Sequence, residues 1–330
     1  MLLVDSTFAP SPHRDDVGLW AGLAGDGRPM LAAGSLALVM AGAFAWFLAI
    51  TDQLLPHDLA WLSISPATLR AIAEGRLVHF MGHDRAAFGG TLIAIGVLYL
   101  WLIAFPLADG ARWAWWTLAG SATVGFVTFL SYLGTGYLDT WHGIATLAIL
   151  PLFAGGLWLT RHARLADAAP VTGGSPPSGD RALDGRWLLL LTGAGMVVAG
   201  AAIATIGTLV VFVPQDIAFI GLDRGAIDAI DPRLVPLIAH DRSGFGGGLA
   251  TTGLVVLAVV RYGRPSKALW QALALAGMAG FGAAIGVHGM IGYLDGTHVG
   301  PAILAAWLFV AGMVLVRPSM LGAARGSPGS

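Results

Sequence analysis

The chain contains no cysteine. That absence excludes disulfides, thiolate metal sites, iron–sulfur clusters and a cysteine nucleophile. Charge is scarce as well. Asp, Glu, Lys and Arg make up 11% of the 330 residues, against about 25% in an ordinary soluble domain. Apolar residues make up 56%. A chain of this composition cannot cover its own surface in water, so an integral membrane protein is expected. The net charge of −1 offers no basic field for a nucleic acid. The first thirty residues are polar and lack a basic stretch followed by an apolar run, so no cleavable signal peptide is expected. No P-loop, GxSxG, HExxH or Rossmann fingerprint occurs in a usable context.

Apolar residues, in contrast, come in long runs. A spanning helix needs about 20 of them. Eight stretches qualify, at 31–51, 84–106, 112–133, 140–160, 186–212, 241–261, 268–291 and 298–316. Between the fourth and fifth lies RHARLADAAPVTGGSPPSGDRALDGR, rich in Pro, Gly, Ser and Asp, which reads as a flexible linker. The resulting organisation is a tail (1–30), four spans (31–160), a linker (161–185), four more spans (186–317) and a second tail (318–330). Segments 66–79 and 224–238 have mixed polarity and are expected to form interfacial amphipathic helices.

The two sets of four spans share their polar signatures. HDR-x-x-FGG occurs at 83–90 and again at 240–247. GYLDTWHG at 136–143 returns as GYLDGTHV at 292–299, and PHDLAWL at 56–62 as PQDIAFI at 214–220. The copies stand about 157 residues apart, too far for a solenoid repeat. A tandem duplication is the natural reading. The expected fold is all-α: eight transmembrane helices as two four-helix repeats, related by a pseudo-twofold axis along the membrane normal.

Basic residues orient this bundle. With eight spans, the side holding both termini carries 12 Lys and Arg and the other side 6. The termini are therefore placed in the cytoplasm and the protein in the inner (plasma) membrane. Four of the six outer arginines, Arg76, Arg85, Arg233 and Arg242, are matched between the copies and are expected to serve a site. Every repeated polar motif maps to this outer face.

The matched residues carry the candidate chemistry. His83 and His240 open the second and sixth spans, and His142 and His298 the fourth and eighth. Asp139 precedes His142 by three residues and Asp295 precedes His298 by three, a spacing that puts both side chains on one helical face. A carboxylate and an imidazole so placed can share a metal, or the carboxylate can orient the ring. His83 with His142, and His240 with His298, can converge as axial haem ligands. With Asp58, Asp84, Asp139, Asp216, Asp241 or Asp295 they can instead hold a transition metal. Arg85 and Arg242 suit neutralising a carboxylate or binding an anion. The same residues can also simply anchor the helix ends in water or tie the two halves together. Gly89, Gly90, Gly246 and Gly247 suit close helix packing. His57 is matched by Gln215 and His79 by Pro236; His288, opposite Tyr132, is the best-placed unmatched histidine.

Eight spans in two halves, with His83, His142, His240 and His298 at the outer ends of alternate helices, resemble haem a synthase. The resemblance implies a duplicated four-helix bundle with haem-ligand pairs His83–His142 and His240–His298. The Glu-x-x-His-Arg signature of that family is absent here, as are its loop cysteines. The leading expectation is a haem- or metal-dependent redox protein, working with an electron-transfer partner or a small-molecule substrate. A small-ion or metal transporter, a metal-dependent hydrolase or transferase, and a purely structural membrane protein are the alternatives.

Overall fold

The computed structural model describes residues 26–130, 132–137, 140–162 and 180–322. The expected N-terminal tail to residue 25, the linker from 163 to 179, the last eight residues and Asp139 lie outside the described residues, as does the side chain of His142. Among the described residues all regular structure is helical. In chain order the helices are α1 (Arg28–Ile50), α2 (Pro56–Trp61), α3 (Pro66–Ala71), α4 (Arg76–Ala104), α5 (Arg112–Phe129), α6 (Tyr132–Thr135), α7 (Thr140–Leu159), α8 (Asp180–Leu209), α9 (Pro214–Ile220), α10 (Arg224–Ile230), α11 (Leu234–Tyr262), α12 (Lys267–Ile291) and α13 (Gly296–Gly322). Apolar runs of this length fold as helices because a bilayer offers no water to their backbone N–H and C=O groups.

Among the described residues, seven helical runs are long and apolar enough to cross a membrane: α1, α4 with the residues leading into it, α5, α8, α11, α12 and α13. The chain is a multi-pass membrane protein. The fourth expected span is a shorter apolar helix over Gly143–Leu159, within α7.

Two boundaries differ from the sequence expectation. Helix α4 starts at Arg76 and α11 at Leu234, well before the expected 84 and 241. The HDR motifs therefore sit about two turns inside their helices rather than at the ends. Hydropathy counts His, Asp and Arg against a span, yet here these side chains are paired within the bundle, so the helix runs through them. The segment expected as one amphipathic helix at 66–79 is instead split by left-handed Ala73, Glu74 and Gly75, at φ 51, 58 and 86°. Its counterpart at 224–238 is broken at extended Asp231. The buried Asp231 carboxylate accepts hydrogen bonds from the backbone N–H of Ser63 (2.6 Å) and Arg233 (2.9 Å), so the break ties the first half of the chain to the second. The linker also ends earlier than expected, with α8 beginning at Asp180.

Helices α4 and α11 form the centre. In each, 72% of the apolar window is buried, against 19–28% in the other five spans. Helix α1 packs along α4 and α8 along α11; α4 also packs on α12, and α11 on α5. Glycine makes these approaches possible. A Cβ on Gly89 would lie 2.6 Å from the Gly42 carbonyl oxygen, and one on Gly246 2.3 Å from the Ala204 backbone nitrogen. Small residues at helix contacts are how membrane helices come close without a hydrophobic drive between them. The tryptophans differ in setting: Trp116 and Trp187 are exposed, whereas Trp115 is buried and donates to the Leu157 carbonyl at 3.0 Å. Trp270 makes the equivalent bond to Met313, at 3.1 Å.

A separate apolar core lies at one end of the bundle, where α2, α3, α9 and α10 fold over the ends of α4 and α11. Arg233 donates to the Trp61 carbonyl at 2.6 Å and Arg76 to the Ile220 carbonyl at 3.2 Å. Each arginine thus clasps the short helix from the other half of the chain.

Substituting Gly246 by Val should destabilise the protein by about 1–3 kcal/mol, the usual cost of overpacking. The measurement is the thermal midpoint in detergent. Gly282→Ala, where an added Cβ meets nothing within 4 Å, should leave that midpoint unchanged. Equal midpoints for the two variants would contradict the close-contact account.

Candidate functional site

Beneath the short helices lie two arginine bridges. Asp58 occupies the first turn of α2, where its carboxylate accepts from the Leu55 backbone N–H at 3.1 Å. It also accepts from the Tyr137 hydroxyl and, at 2.5 Å, from Arg85 Nη1. Arg85 then reaches across the central contact and donates through Nε to Asp241 at 2.7 Å. The second bridge repeats the first. Asp216, in the first turn of α9, accepts from Val213 N–H (2.8 Å), the Tyr293 hydroxyl (2.8 Å) and Arg242 Nη1. Arg242 Nε donates to Asp84 at 3.2 Å. Each guanidinium therefore joins a carboxylate from its own half to one from the other half. Arg242 also donates to the carbonyl of Val211, a β-branched residue held at φ 72°.

These contacts assign four of the aspartates expected as metal ligands. Asp58, Asp84, Asp216 and Asp241 are partners of Arg85 and Arg242. A guanidinium at hydrogen-bond distance competes directly with a cation for the same lone pairs. Asp295 has another task. It is exposed and caps α13, accepting from the backbone N–H of Thr297 (2.9 Å) and His298 (3.0 Å). Its bond is to the backbone of His298 and leaves the ring free to point elsewhere.

Among the described residues, the group able to share an ion is His83, His288 and His298. One ring nitrogen from each lies within 4.8 Å of the others. His83 comes from α4, His288 from the last turn of α12 and His298 from the first turn of α13. Gly292, left-handed at φ 74°, ends α12 and lets α13 turn back beside it. His83 and His288 are buried, at 2% and 7% exposure, and His298 is half-buried. Nδ1 of His83 donates to the Phe80 carbonyl, and Nδ1 of His288 to the Ala284 carbonyl at 2.5 Å. With Nδ1 donating, the nitrogen left to carry a lone pair in a neutral ring is Nε2. Nε2 of His288 is buried without a hydrogen-bond partner. Nε2 of His83 lies 3.5 Å from Asp84, and Nδ1 of His298 lies 3.9 Å from Asp216. The two bridged carboxylates thus also flank the imidazoles.

The grouping differs from the sequence expectation. His298 stands with His83, its ring centroid 5.9 Å away, rather than with His240. His240 instead packs against Tyr137 (5.3 Å) and Phe129 (6.3 Å). The order of helices along the chain could not reveal this, because α4 packs on α12 of the other half. His288, the best-placed of the unmatched histidines, completes the group. Tyr137 and Tyr293 were passed over although both lie in the repeated GYLD motif.

The ring packing bears on haem. A porphyrin between two axial imidazoles needs an open slot as wide as the macrocycle. Tyr293 is stacked on His298 at 4.4 Å, Phe80 lies 4.8 Å from His83, and His288 stands 5.1 and 5.2 Å from the other two histidines. Rings fill the space on these sides. The three residues fit a bare ion and do not fit haem.

Burial pushes the Asp58 carboxyl up, but the charge and hydrogen bond of Arg85, helped by Tyr137, outweigh it and hold the group below its ordinary value. Burial likewise opposes Arg242, Val213 and Tyr293 at Asp216, with the same net lowering. A folded value below the unfolded one, about 3.9 for Asp, stabilises fully above it and is lost as pH falls through the folded value. The protein in detergent should therefore lose stability below about pH 4, and Asp58→Asn should flatten that fall in an acid titration of the thermal midpoint. Arg85→Met leaves two enclosed carboxylates without their cation and should cost about 3–5 kcal/mol. A wild-type midpoint for Arg85→Met would rule the bridge out as a stabilising contact.

Compared with protein-family models, curated proteins and solved structures, the chain matches none, so the resemblance to haem a synthase rests on helix order and histidine placement alone.

Proposed function

We propose that this protein is a metal-dependent membrane protein that holds one transition-metal ion on His83, His288 and His298. The observation that carries the reading is the buried, unpartnered Nε2 of His288 facing two further imidazoles. A buried nitrogen with no partner costs about 1–3 kcal/mol. Coordination to a metal accounts for it, and the Nδ1 bonds to backbone carbonyls supply the orientation such ligands need. Three neutral imidazoles suit zinc, copper, iron or nickel, with copper(II) favoured by intrinsic affinity. Three protein ligands leave a position for water or substrate, the arrangement typical of catalytic rather than structural sites. A bound copper or iron would supply one-electron chemistry, with an electron-transfer partner or a small reductant outside the chain. The transporter reading is the weaker one, since Asp58, Asp84, Asp216 and Asp241, the acidic groups a cation path would use, are neutralised by Arg85 and Arg242.

We place this site at the extracytoplasmic end of an eight-span bundle, with α7 as the fourth span and both termini in the cytoplasm. The distribution of basic residues supports that orientation. The paired motifs and the twin tryptophan and arginine bonds support descent from a duplicated four-helix unit.

Protein purified in mild detergent without chelators should carry one transition-metal ion per chain by elemental analysis. Replacing His83 or His288 by Ala should reduce the content at least tenfold, while His240→Ala should retain it. Metal-free wild type that takes up no copper or zinc on titration would defeat the proposal. So would a His288→Ala variant that binds as tightly as wild type.

A further inference from the structure

A cavity of about 600 Å³ lies between helices of the first half and α11, apart from the three-histidine group. Pockets of roughly 300–1,000 Å³ are the size class that encloses a drug-sized molecule. Its long walls come from α1, α4, α5, α7 and α11 and are apolar, with the rings of Phe88, Phe126, Phe129 and Phe153 among them. Its charged and imidazole side chains are His57, Asp58, Arg85, His240 and Asp241, grouped around the Arg85 bridge. In the second half, α13 packs more extensively on α8 and α12 than α7 does on α1 and α5. The first half is thus the more loosely filled of the two.

The polar end selects the ligand. Two carboxylates, Asp58 and Asp241, face a single guanidinium, and Arg85 is already bonded to both. A fatty-acid carboxylate or a lipid phosphate would meet excess negative charge there. A neutral head group with carbonyl or hydroxyl oxygens would not, and it can exchange hydrogen bonds with imidazole and carboxylate. Aromatic walls suit a flat ring followed by an unsaturated hydrocarbon tail. Phe44 lines the cavity and is itself 54% exposed on the outside of α1, which puts one wall against the lipid. A ligand dissolved in the bilayer can enter there.

We infer that this cavity is a binding site for an isoprenoid quinone or quinol, with its ring at the His240–Asp241 end and its tail between α1, α5 and α7. The inference does not depend on the metal reading, since the cavity and the three histidines share no residue.

Cavity filling tests it. Ala122 and Ala145 line the space from α5 and α7, so Ala122→Phe and Ala145→Phe block it from two different helices. Filling a void tends to preserve or raise stability if the new side chain fits, so a folded product is expected from at least one of them. The readouts are organic extraction of the purified full-length protein with mass spectrometry of bound lipids, and the thermal shift produced by a decyl-substituted benzoquinone. Wild type should carry isoprenoid quinone and gain a higher midpoint with the probe. Each folded variant should carry at least tenfold less and lose the shift. Wild type that yields only phospholipid or fatty acid and gives no shift would overturn the inference. Quinone carried equally by wild type and blocked variants would overturn it too, since that is simple partition into the micelle.

Discussion

Arg85 and Arg242 each hold two carboxylates, one from each half of the chain, and the rest of the molecule is arranged to permit this. A charge taken out of water is costly unless it is paired and hydrogen-bonded. Here two cations and four aspartates share one layer where α4 meets α11. The tyrosine hydroxyls and the backbone N–H groups at Leu55 and Val213 take up remaining lone pairs. Where α4 meets α11, Gly248 leaves room for Thr91, whose Oγ1 would lie 2.4 Å from an added Cβ. The short helices above the layer close it from outside, held by Arg76 and Arg233.

The same layer places the histidines. Asp84 touches His83 on one side and Arg242 on the other, and Asp216 links Arg242, Tyr293 and His298. The charged network and the imidazole group are therefore one connected structure. Its two ends are not equivalent. Around His83 the space is filled by His288, His298 and Tyr293, while around His240 it opens into the cavity. The two surroundings thus differ: a compact group of imidazoles in one place and a volume in the other.

Much of this was legible in the residues alone. Composition indicated a membrane protein, and the repeated motifs marked Asp58, Arg85, Asp216 and Arg242 before any contact was known. Four things were hidden for physical reasons. Matched positions say which residues correspond but not which copy they touch, so the exchange of partners between halves could not be read. Hydropathy penalises a charged residue whether or not it is paired, so the starts of α4 and α11 were placed too late. Aspartate three residues before histidine fits a metal pair and a helix cap equally well, because the cap also bonds the backbone N–H three residues on. At Asp295 the cap wins. His288 has no twin, and a comparison between copies is blind to what only one of them has.

The exchange of partners has a consequence for how the protein is made. Chains are synthesised from the N-terminus, and the first half enters the membrane well before the second exists. During that interval Arg85 can bond Asp58, but Asp84 has no cation, because Arg242 has yet to be translated. An unpaired carboxylate two turns inside a helix is poorly tolerated in lipid. The pairing of Asp84 therefore waits on the second half of the chain, and the order of synthesis sets when that contact can form.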